Sequence, residues 1–139
     1  MDSTLEISRP TLDRIVAHGA SSRDEICGLL LRHPSGEIEA RGCANIHPQP
    51  AARFELDPAA LLAAHRAARG GGPAVIGHYH SHPSGKPEPS AEDAAQAAAD
   101  GAIWVIVAGS ELRAWRALDG GAVHGRFDSV AIIVREACA

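Results

Sequence analysis

The chain has 139 residues, of which 45% are hydrophobic, and its formal net charge at neutral pH is −4. This length and this apolar content predict one folded domain spanning residues 1–139, and they exclude a disordered chain. The negative charge is not that of a nucleic-acid-binding protein, and no apolar run approaches the roughly 20 residues of a membrane helix.

The cysteines and the first residues bear on the cellular compartment. Cys27, Cys43 and Cys138 form no close pair, which predicts reduced thiols. The first ten residues, MDSTLEISRP, contain two acidic residues and no apolar stretch, so no signal peptide is evident. Together these observations predict a cytoplasmic protein.

The first half of the chain alternates helical and extended patterns. A helix over 10–18 is predicted from a proline at its start and apolar residues at helical spacing. Residues 26–32 are almost continuously apolar, as in a strand buried on both faces. The turn sequence HPSG follows and predicts a hairpin strand over 37–44. Asp57 then predicts the N-cap of a second helix over 58–69.

The second half contains one helix among strands. We predict a strand over 74–80, an alanine-rich helix over 90–100, and strands over 103–108, 112–118 and 122–135. The turns between the last three strands are predicted at Gly109-Ser110 and at Asp119-Gly120-Gly121. Because two hairpins are predicted, the sheet cannot be purely parallel. The order of elements therefore predicts an α/β or α+β sandwich, with a mixed sheet and helices packed on it.

Much of the histidine and proline lies in one stretch, HYHSHPSGKPEP. His80 and His82 are two residues apart at the end of a predicted strand, so their side chains point to the same side. A loop with three prolines leads to Asp93, in the first turn of the next predicted helix. Two histidines and one carboxylate leave a fourth position open for water, as in a catalytic zinc site. His80, His82 and Asp93 are therefore the predicted zinc ligands.

A zinc-bound water also needs a proton acceptor and a group that stabilises the oxyanion. Glu25 is the candidate base, because it opens the first buried strand, where a carboxylate has no evident packing role. Ser90 is the candidate oxyanion donor, because its hydroxyl lies three residues before Asp93.

Each of these residues also has a purely structural interpretation. Ser90 and Asp93 fit a helix capping box, and Glu25 alone resembles a solvated charge at the end of a strand. A lone His-x-His is a weak metal signal. The metal hypothesis rests on the combination, since the required residue types fall at compatible positions, and capping and ligand roles can coexist.

Neighbouring residues have open assignments. His78 should share the face of His80, as a fourth ligand, as a partner of a ligand, or as a partly buried strand residue. Cys43 could be a soft ligand or a small buried residue. Asn45 and Phe54 could form a cleft wall. The remaining candidates are interpreted as structural: Cys27, Trp104 and Trp115 as core residues, and His18, His33, His47, His65, Lys86 and His124 as surface, loop or turn residues.

These residues resemble the signature of the JAMM (MPN+) metalloproteases. That signature has an upstream Glu, then H-x-H-P, then S-x-x-D with ten residues between the second His and the Asp, and all its spacings are found here. The words DEICGLLLR, GHYHSHPSGKPEPSAED and LRAWR are similar to those of small stand-alone bacterial members. The resemblance runs from about Glu25 to Arg116.

The resemblance implies a cytidine-deaminase-like α/β/α sandwich. It also implies Zn²⁺ held by His80, His82 and Asp93, with Glu25 as general acid and base and Ser90 steadying the tetrahedral intermediate. The implied reaction is hydrolysis after the C-terminal Gly-Gly of a ubiquitin-like protein. Similar bacterial members act on sulfur-carrier proteins, from which they release cysteine or a short C-terminal extension, and this links them to cysteine biosynthesis or to other sulfur transfer.

Alternatives within and outside this activity remain open. RadC-like proteins share the H-x-H-P-S-G stretch, phage-tail-type JAMM peptidases act on structural proteins, and inactive MPN proteins are binding modules. This chain is short for the insertions that grip a second ubiquitin, and His78 replaces the apolar or aromatic residue of many relatives. The sequence does not identify the carrier protein, the leaving group or the oligomeric state.

Overall fold

A mixed sheet and three helices make up residues 4–136, the part of the chain that the computed structural model describes. The strands are β1 (Thr4–Ser8), β2 (Cys27–Arg32), β3 (Ile38–Cys43), β4 (Ala74–Ser81), β5 (Ile103–Ala108), β6 (Glu111–Gly121) and β7 (Gly125–Arg135). The helices are α1 (Arg9–Ala20), α2 (Pro58–Arg69) and α3 (Ala91–Gln96). Within residues 4–136, no helix is long and apolar enough to cross a membrane.

The seven strands form one sheet in the order β1-β7-β6-β5-β4-β2-β3. Strand β1 pairs parallel with β7, and β4 pairs parallel with β5. The other neighbours are antiparallel, including the β2–β3 and β5–β6 hairpins. The predicted mixed sheet is therefore confirmed.

Helices cover both faces of this sheet. On one face, Ile15 of α1 packs in a buried cluster with Leu30 and Val105. On the opposite face, Ala64 of α2 packs with Leu29, and Ala94 of α3 packs against a cluster that contains Trp104. Neighbouring residues of one strand thus enter opposite clusters, because side chains alternate along a strand. The predicted layering, with helices packed on a mixed sheet, is confirmed.

The helices begin where capping chemistry indicates. The side chain of Ser8 accepts a hydrogen bond from the N–H of Thr11, and that of Asp57 accepts one from the N–H of Ala59. A proline lies in the first turn of both α1 and α2, where its missing N–H costs no helical hydrogen bond. Ser90 caps α3.

Two local predictions are wrong, and one strand has no prediction at all. Strand β1 was not predicted, although Leu5 and Ile7 are buried beside exposed or half-buried neighbours. Helix α3 ends at Gln96 rather than near residue 100, because Ala97 turns extended and packs against the core as the chain returns to β5. The final turn lies at residues 122–124, since Gly120, at φ 71°, forms an irregularity within β6 instead of a turn.

One glycine allows an aromatic side chain to cross the sheet surface. Gly28 in β2 lies opposite Tyr79 in β4, and a Cβ atom on Gly28 would lie 2.4 Å from the tyrosine ring. The Tyr79 hydroxyl lies 2.8 Å from Nδ1 of His18 in α1. This contact joins α1 to the strand that carries His80 and leads directly into His82.

The structure describes two of the three cysteines. Cys27 is fully buried, which confirms its core assignment, and both it and Cys43 are free thiols. Cys138 lies outside the described residues.

Candidate metal centre

Three elements meet at the C-terminal end of β4. His80 is the penultimate residue of the strand, and His82 follows the strand directly. Asp93 lies in the first turn of α3, and Glu25 lies just before β2, which pairs with β4. His80, Asp93 and Glu25 are buried, with exposed fractions of 0%, 6% and 8%. The structure therefore brings the predicted ligands and the predicted base to one place.

The three predicted ligand atoms form a nearly regular triangle. Nε2 of His80 lies 3.1 Å from Nε2 of His82, and Oδ2 of Asp93 lies 3.4 Å and 3.2 Å from these two nitrogens. Two ligand atoms of a tetrahedral zinc ion with bonds of about 2.0–2.1 Å lie about 3.3 Å apart. The residues present therefore fit a tetrahedral metal ion with one open position.

Glu25 stands close to this triangle. Its carboxylate has an oxygen within 4.8 Å of the ligand nitrogens of both His80 and His82. Three ligand atoms could thus also come from Glu25 and the two histidines. We favour Asp93 as the third ligand, because its 3.2 Å and 3.4 Å separations match those within a coordination shell. Glu25 is then placed to contact a water molecule at the open position.

Burial changes the protonation of the Glu25 carboxyl. Removal from water raises its pKa to about 7, with the positive charge of His82 opposing and the negative charge of Asp93 adding to the rise. The backbone around it is fixed, since Asn45 Nδ2 donates to the Glu25 carbonyl at 2.8 Å and the Glu25 N–H donates to the Pro50 carbonyl at 2.8 Å. A carboxyl with a pKa near neutrality can both accept and release a proton.

The Asp93 carboxylate belongs both to the capping box of α3 and to the triangle of predicted ligand atoms. The Ser90 N–H donates to Asp93 Oδ2 at 2.9 Å, and the Asp93 N–H donates to the Ser90 hydroxyl at 3.0 Å. Burial alone raises the pKa of Asp93, but hydrogen bonds with His80 and His82 outweigh it and hold the pKa below its usual range. Asp93 is therefore ionised and oriented before any ligand binds.

The two histidines differ in how their second ring nitrogen is held. His82 donates its Nδ1–H to the Lys86 carbonyl at 2.8 Å, and its Nε2 faces Asp93 Oδ2, where a metal ion would replace the Nε2 proton. Nδ1 of His80 is fully buried, and it has no hydrogen-bond partner among residues 4–136. Burial lowers the pKa of His80, which favours the neutral imidazole that a metal ligand requires.

Aromatic rings enclose His80. Phe54 stacks on its imidazole with ring centroids 4.2 Å apart and planes 15° apart. Trp104 approaches the same imidazole edge-on at 5.8 Å, and His78 lies against Trp104 at 4.3 Å. Phe54 was only a candidate cleft wall in the sequence. Its loop joins β3 to α2, so no local pattern indicated a contact with His80.

Two further residues hold the site in place: Ser81, which the sequence did not single out, and Trp115, which it predicted only as a core residue. Ser81, the middle residue of His-x-His, points to the opposite face, and its hydroxyl accepts from the Ile26 N–H at 2.9 Å. Trp115 Nε1 donates to the Pro87 carbonyl at 3.1 Å, which anchors the loop between His82 and α3. In the sequence, the only indication of this role for Ser81 is that it is a small polar residue at the end of a predicted strand.

A cleft leads to the triangle. It encloses about 310 Å³, and Glu25, His82 and Ser90 line it together with small residues that include Ala52 and Gly85. A larger cavity of about 590 Å³ lies at the other end of β4, between that strand and α2, and touches the site only through His78. We assign the chemistry to the smaller cleft, because it contains the polar groups.

The other candidates do not join the cluster. The Cys43 thiol lies 3.7 Å from the Arg41 carbonyl and packs against the core, and Lys86 is an exposed loop residue. Trp104 and Trp115 are buried, as predicted. His18, predicted to be a surface residue, instead contacts the buried Tyr79.

Comparison with protein families gives one match over most of the chain. A sequence profile described as prokaryotic homologues of the JAB domain matches residues 8–118. The profile includes the strands and helices that form the triangle and its cleft.

Three curated proteins are similar to this chain in sequence. A desampylase of Haloferax volcanii is 32% identical over 115 residues, covering 75% of this chain and 80% of the relative. A desampylase of Pyrococcus furiosus is 33% identical over 114 residues, covering 81% of each chain. A probable TtuB-protein conjugate cleaving protease of Thermus thermophilus is 42% identical over 53 residues, covering 38% of this chain and 36% of the relative.

Solved structures share the fold. A protein from Desulfitobacterium hafniense superposes with a TM-score of 0.77 at 24% identity, covering 95% of this chain and 93% of that one. A JAB1/MPN domain protein from Archaeoglobus fulgidus superposes with a TM-score of 0.54 at 20% identity, covering 94% and 99%.

Proposed function

This chain belongs to the family of prokaryotic homologues of the JAB domain, and we propose on that basis that it is a zinc-dependent peptidase or isopeptidase of the JAMM type. Its substrate in this proposal is a ubiquitin-like sulfur-carrier protein, cleaved after the C-terminal Gly-Gly. The observation that carries the proposal is the triangle of His80, His82 and Asp93, with Glu25 beside it.

His80, His82 and Asp93 would hold the zinc ion. When bound, zinc supplies a Lewis acid for the scissile carbonyl and lowers the pKa of water to near neutrality. Two neutral imidazoles and one carboxylate are a ligand set typical of catalytic rather than structural zinc. The capping box and the Lys86 carbonyl orient Asp93 and His82 in advance, so little rearrangement is needed on binding.

Glu25 and Ser90 supply the remaining chemistry. Glu25 takes a proton from the attacking water and passes it to the leaving amine, two opposite transfers that a pKa of about 7 favours. The Ser90 hydroxyl accepts one hydrogen bond from the Asp93 N–H. Its own O–H is then available to donate to the oxyanion that develops on the scissile carbonyl.

The substrate class rests on the relatives and on the cleft. Two relatives are named desampylases, and a third is named as a protease that cleaves a protein conjugate. The cleft is lined by Ala51, Ala52 and Gly85 beside the polar groups. Such a cleft suits an extended Gly-Gly tail, because residues without side chains let the backbone lie close to the metal.

Intact-mass detection of cleavage tests this proposal. The substrates are a sulfur-carrier protein ending in Gly-Gly-Cys, one ending in Gly-Gly and a short peptide, and a ubiquitin-like isopeptide conjugate. Each is incubated with the zinc-loaded protein, with Glu25→Gln, and with wild type plus chelator. The matched control is Glu111→Gln, an exposed residue at the start of β6.

We expect wild type and Glu25→Gln to differ sharply. At least one substrate should lose cysteine, peptide or conjugate, and Glu25→Gln should slow this by roughly 10²- to 10⁴-fold while still binding zinc, because it lacks only the proton acceptor. Glu111→Gln should match wild type. Unchanged activity in Glu25→Gln would remove Glu25 from the mechanism. No cleavage of any substrate would instead favour a binding module.

A further inference from the structure

The metal centre has one unmet hydrogen-bonding requirement. A histidine that binds a metal through Nε2 carries its proton on Nδ1, and ligating histidines normally donate this N–H to an acceptor. His82 does so, since its Nδ1 donates to the Lys86 carbonyl. Nδ1 of His80 is buried and has no partner among the described residues. The acceptor for His80 must therefore be supplied in another way.

A second unpartnered nitrogen lies beside the first. His78 precedes His80 by two residues on β4, so both imidazoles are on the same face of the sheet. Phe54 contacts both rings, at centroid distances of 5.6 Å and 4.2 Å, and Trp104 contacts both, at 4.3 Å and 5.8 Å. Nδ1 of His78 is also buried without a hydrogen-bond partner in residues 4–136.

Packing alone does not explain a histidine at position 78. Its neighbours Phe54 and Trp104 are aromatic, so an apolar ring would fill the same space without burying an unpaired nitrogen. A neutral imidazole, in contrast, has one N–H and one nitrogen lone pair. The imidazole thus offers what His80 lacks, an acceptor inside the aromatic enclosure.

We infer that His78 is a positioning residue for the metal site. One bridging water molecule accepts a hydrogen bond from the Nδ1–H of His80 and donates one to Nδ1 of His78. This inference rests on the metal centre of the proposed function. The water is required because neither Nδ1 has a hydrogen-bond partner among residues 4–136, so the two nitrogens do not bond to each other directly. His78 borders the cavity of about 590 Å³ between β4 and α2, but Nδ1 of both histidines is inaccessible, so the bridging water requires a small displacement of the two rings.

Zinc affinity of position-78 variants tests the inference. His78→Phe keeps the ring and removes the acceptor, and His78→Gln restores a carbonyl acceptor. His65→Phe is the matched control, an exposed histidine of α2 that borders the same cavity. The dissociation constant for zinc is measured by competition with a chromophoric chelator, without any substrate.

We expect His78→Phe to weaken zinc binding by roughly 10- to 100-fold, the usual effect of removing a partner of a ligating histidine. His78→Gln should recover most of that loss, and His65→Phe should match wild type. The melting temperature of metal-free His78→Phe should equal or exceed that of wild type, because the replacement removes a buried polar atom.

Imidazole NMR gives a signature that packing would not change. In the zinc-loaded wild type, the Nδ1–H of His80 should give a signal protected from solvent exchange, and this protection should be lost in His78→Phe and kept in His78→Gln. Zinc affinity within twofold of wild type and an unchanged signal in His78→Phe would overturn the inference.

Two other outcomes also count against it. Equal weakening in His78→Phe and His78→Gln, with a lowered melting temperature of the metal-free proteins, would assign His78 a merely structural role. If the wild type itself binds no zinc, the metal centre of the proposed function fails and this inference fails with it. A wild type that binds zinc but cleaves no substrate leaves the His78 test fully decisive.

Discussion

At the scale of single residues, the site is compact because Asp93 and Glu25 each make both a structural contact and a contact with the site. Asp93 Oδ2 accepts the Ser90 N–H and lies 3.2 Å from the His82 Nε2. The carboxylate thus caps α3 and faces the metal position. Glu25 is buried, yet its carbonyl is the acceptor that fixes Asn45. The capping box and the metal site, two interpretations of the same residues, are therefore compatible.

Ser90→Ala separates the two roles of Ser90. The activity should fall by roughly 10²- to 10³-fold, as for the loss of one oxyanion donor. The free energy of unfolding should fall by about 1 kcal/mol, because the N-cap of α3 is lost. The measurements are kcat/KM on the cleaved substrate and denaturant unfolding of the same preparation.

The control for this variant is Asp57→Ala, which removes the N-cap of α2. It should cost about as much stability as Ser90→Ala, roughly 1 kcal/mol, and leave kcat/KM unchanged. If Ser90→Ala lowers stability but keeps wild-type kcat/KM, Ser90 is a helix cap and not an oxyanion donor.

At the scale of elements, helix starts, hairpins and buried strands could be predicted where the residues of one short segment determine them. The N-caps Asp57 and Ser90, the two hairpins and the buried β2 all follow from neighbouring residues. Strand β1 was missed because it is a five-residue edge strand whose pairing partner, β7, lies at the far end of the chain. The end of α3 was misplaced because packing of Ala97 against the core overrides the helix propensity of alanine.

Gly28→Ala tests the close packing of β2 on Tyr79. A Cβ at position 28 would overlap the tyrosine ring, so the free energy of unfolding should fall by roughly 1–3 kcal/mol. Thermal or denaturant unfolding measures this directly. Gly70→Ala is the matched control, because a Cβ there meets only ordinary contacts, at 3.6 Å or more.

The two glycine variants should therefore separate clearly. Equal stability of Gly28→Ala and Gly70→Ala would contradict the packing described for Tyr79, since that packing leaves no room for a methyl group. The Tyr79 ring would then have to be free to move away from β2.

At the scale of the whole molecule, the sheet order assembles the site. Glu25 and His80 are 55 residues apart in the sequence, and they meet because β2 pairs with β4. The spacing of His80, His82 and Asp93 predicted the residues that form the triangle. The aromatic enclosure by Phe54 and Trp104 could not be predicted, because its members come from a loop and from a parallel neighbouring strand.

The position of the metal ion is the most direct test of this account. Crystals of the zinc-loaded protein would be measured above and below the zinc absorption edge, and the difference locates the ion. We predict one ion bonded to Nε2 of His80, Nε2 of His82 and Oδ2 of Asp93, with the Glu25 carboxylate nearby but not bonded. An ion bonded to Glu25 and not to Asp93, or zinc found only elsewhere, would contradict the account.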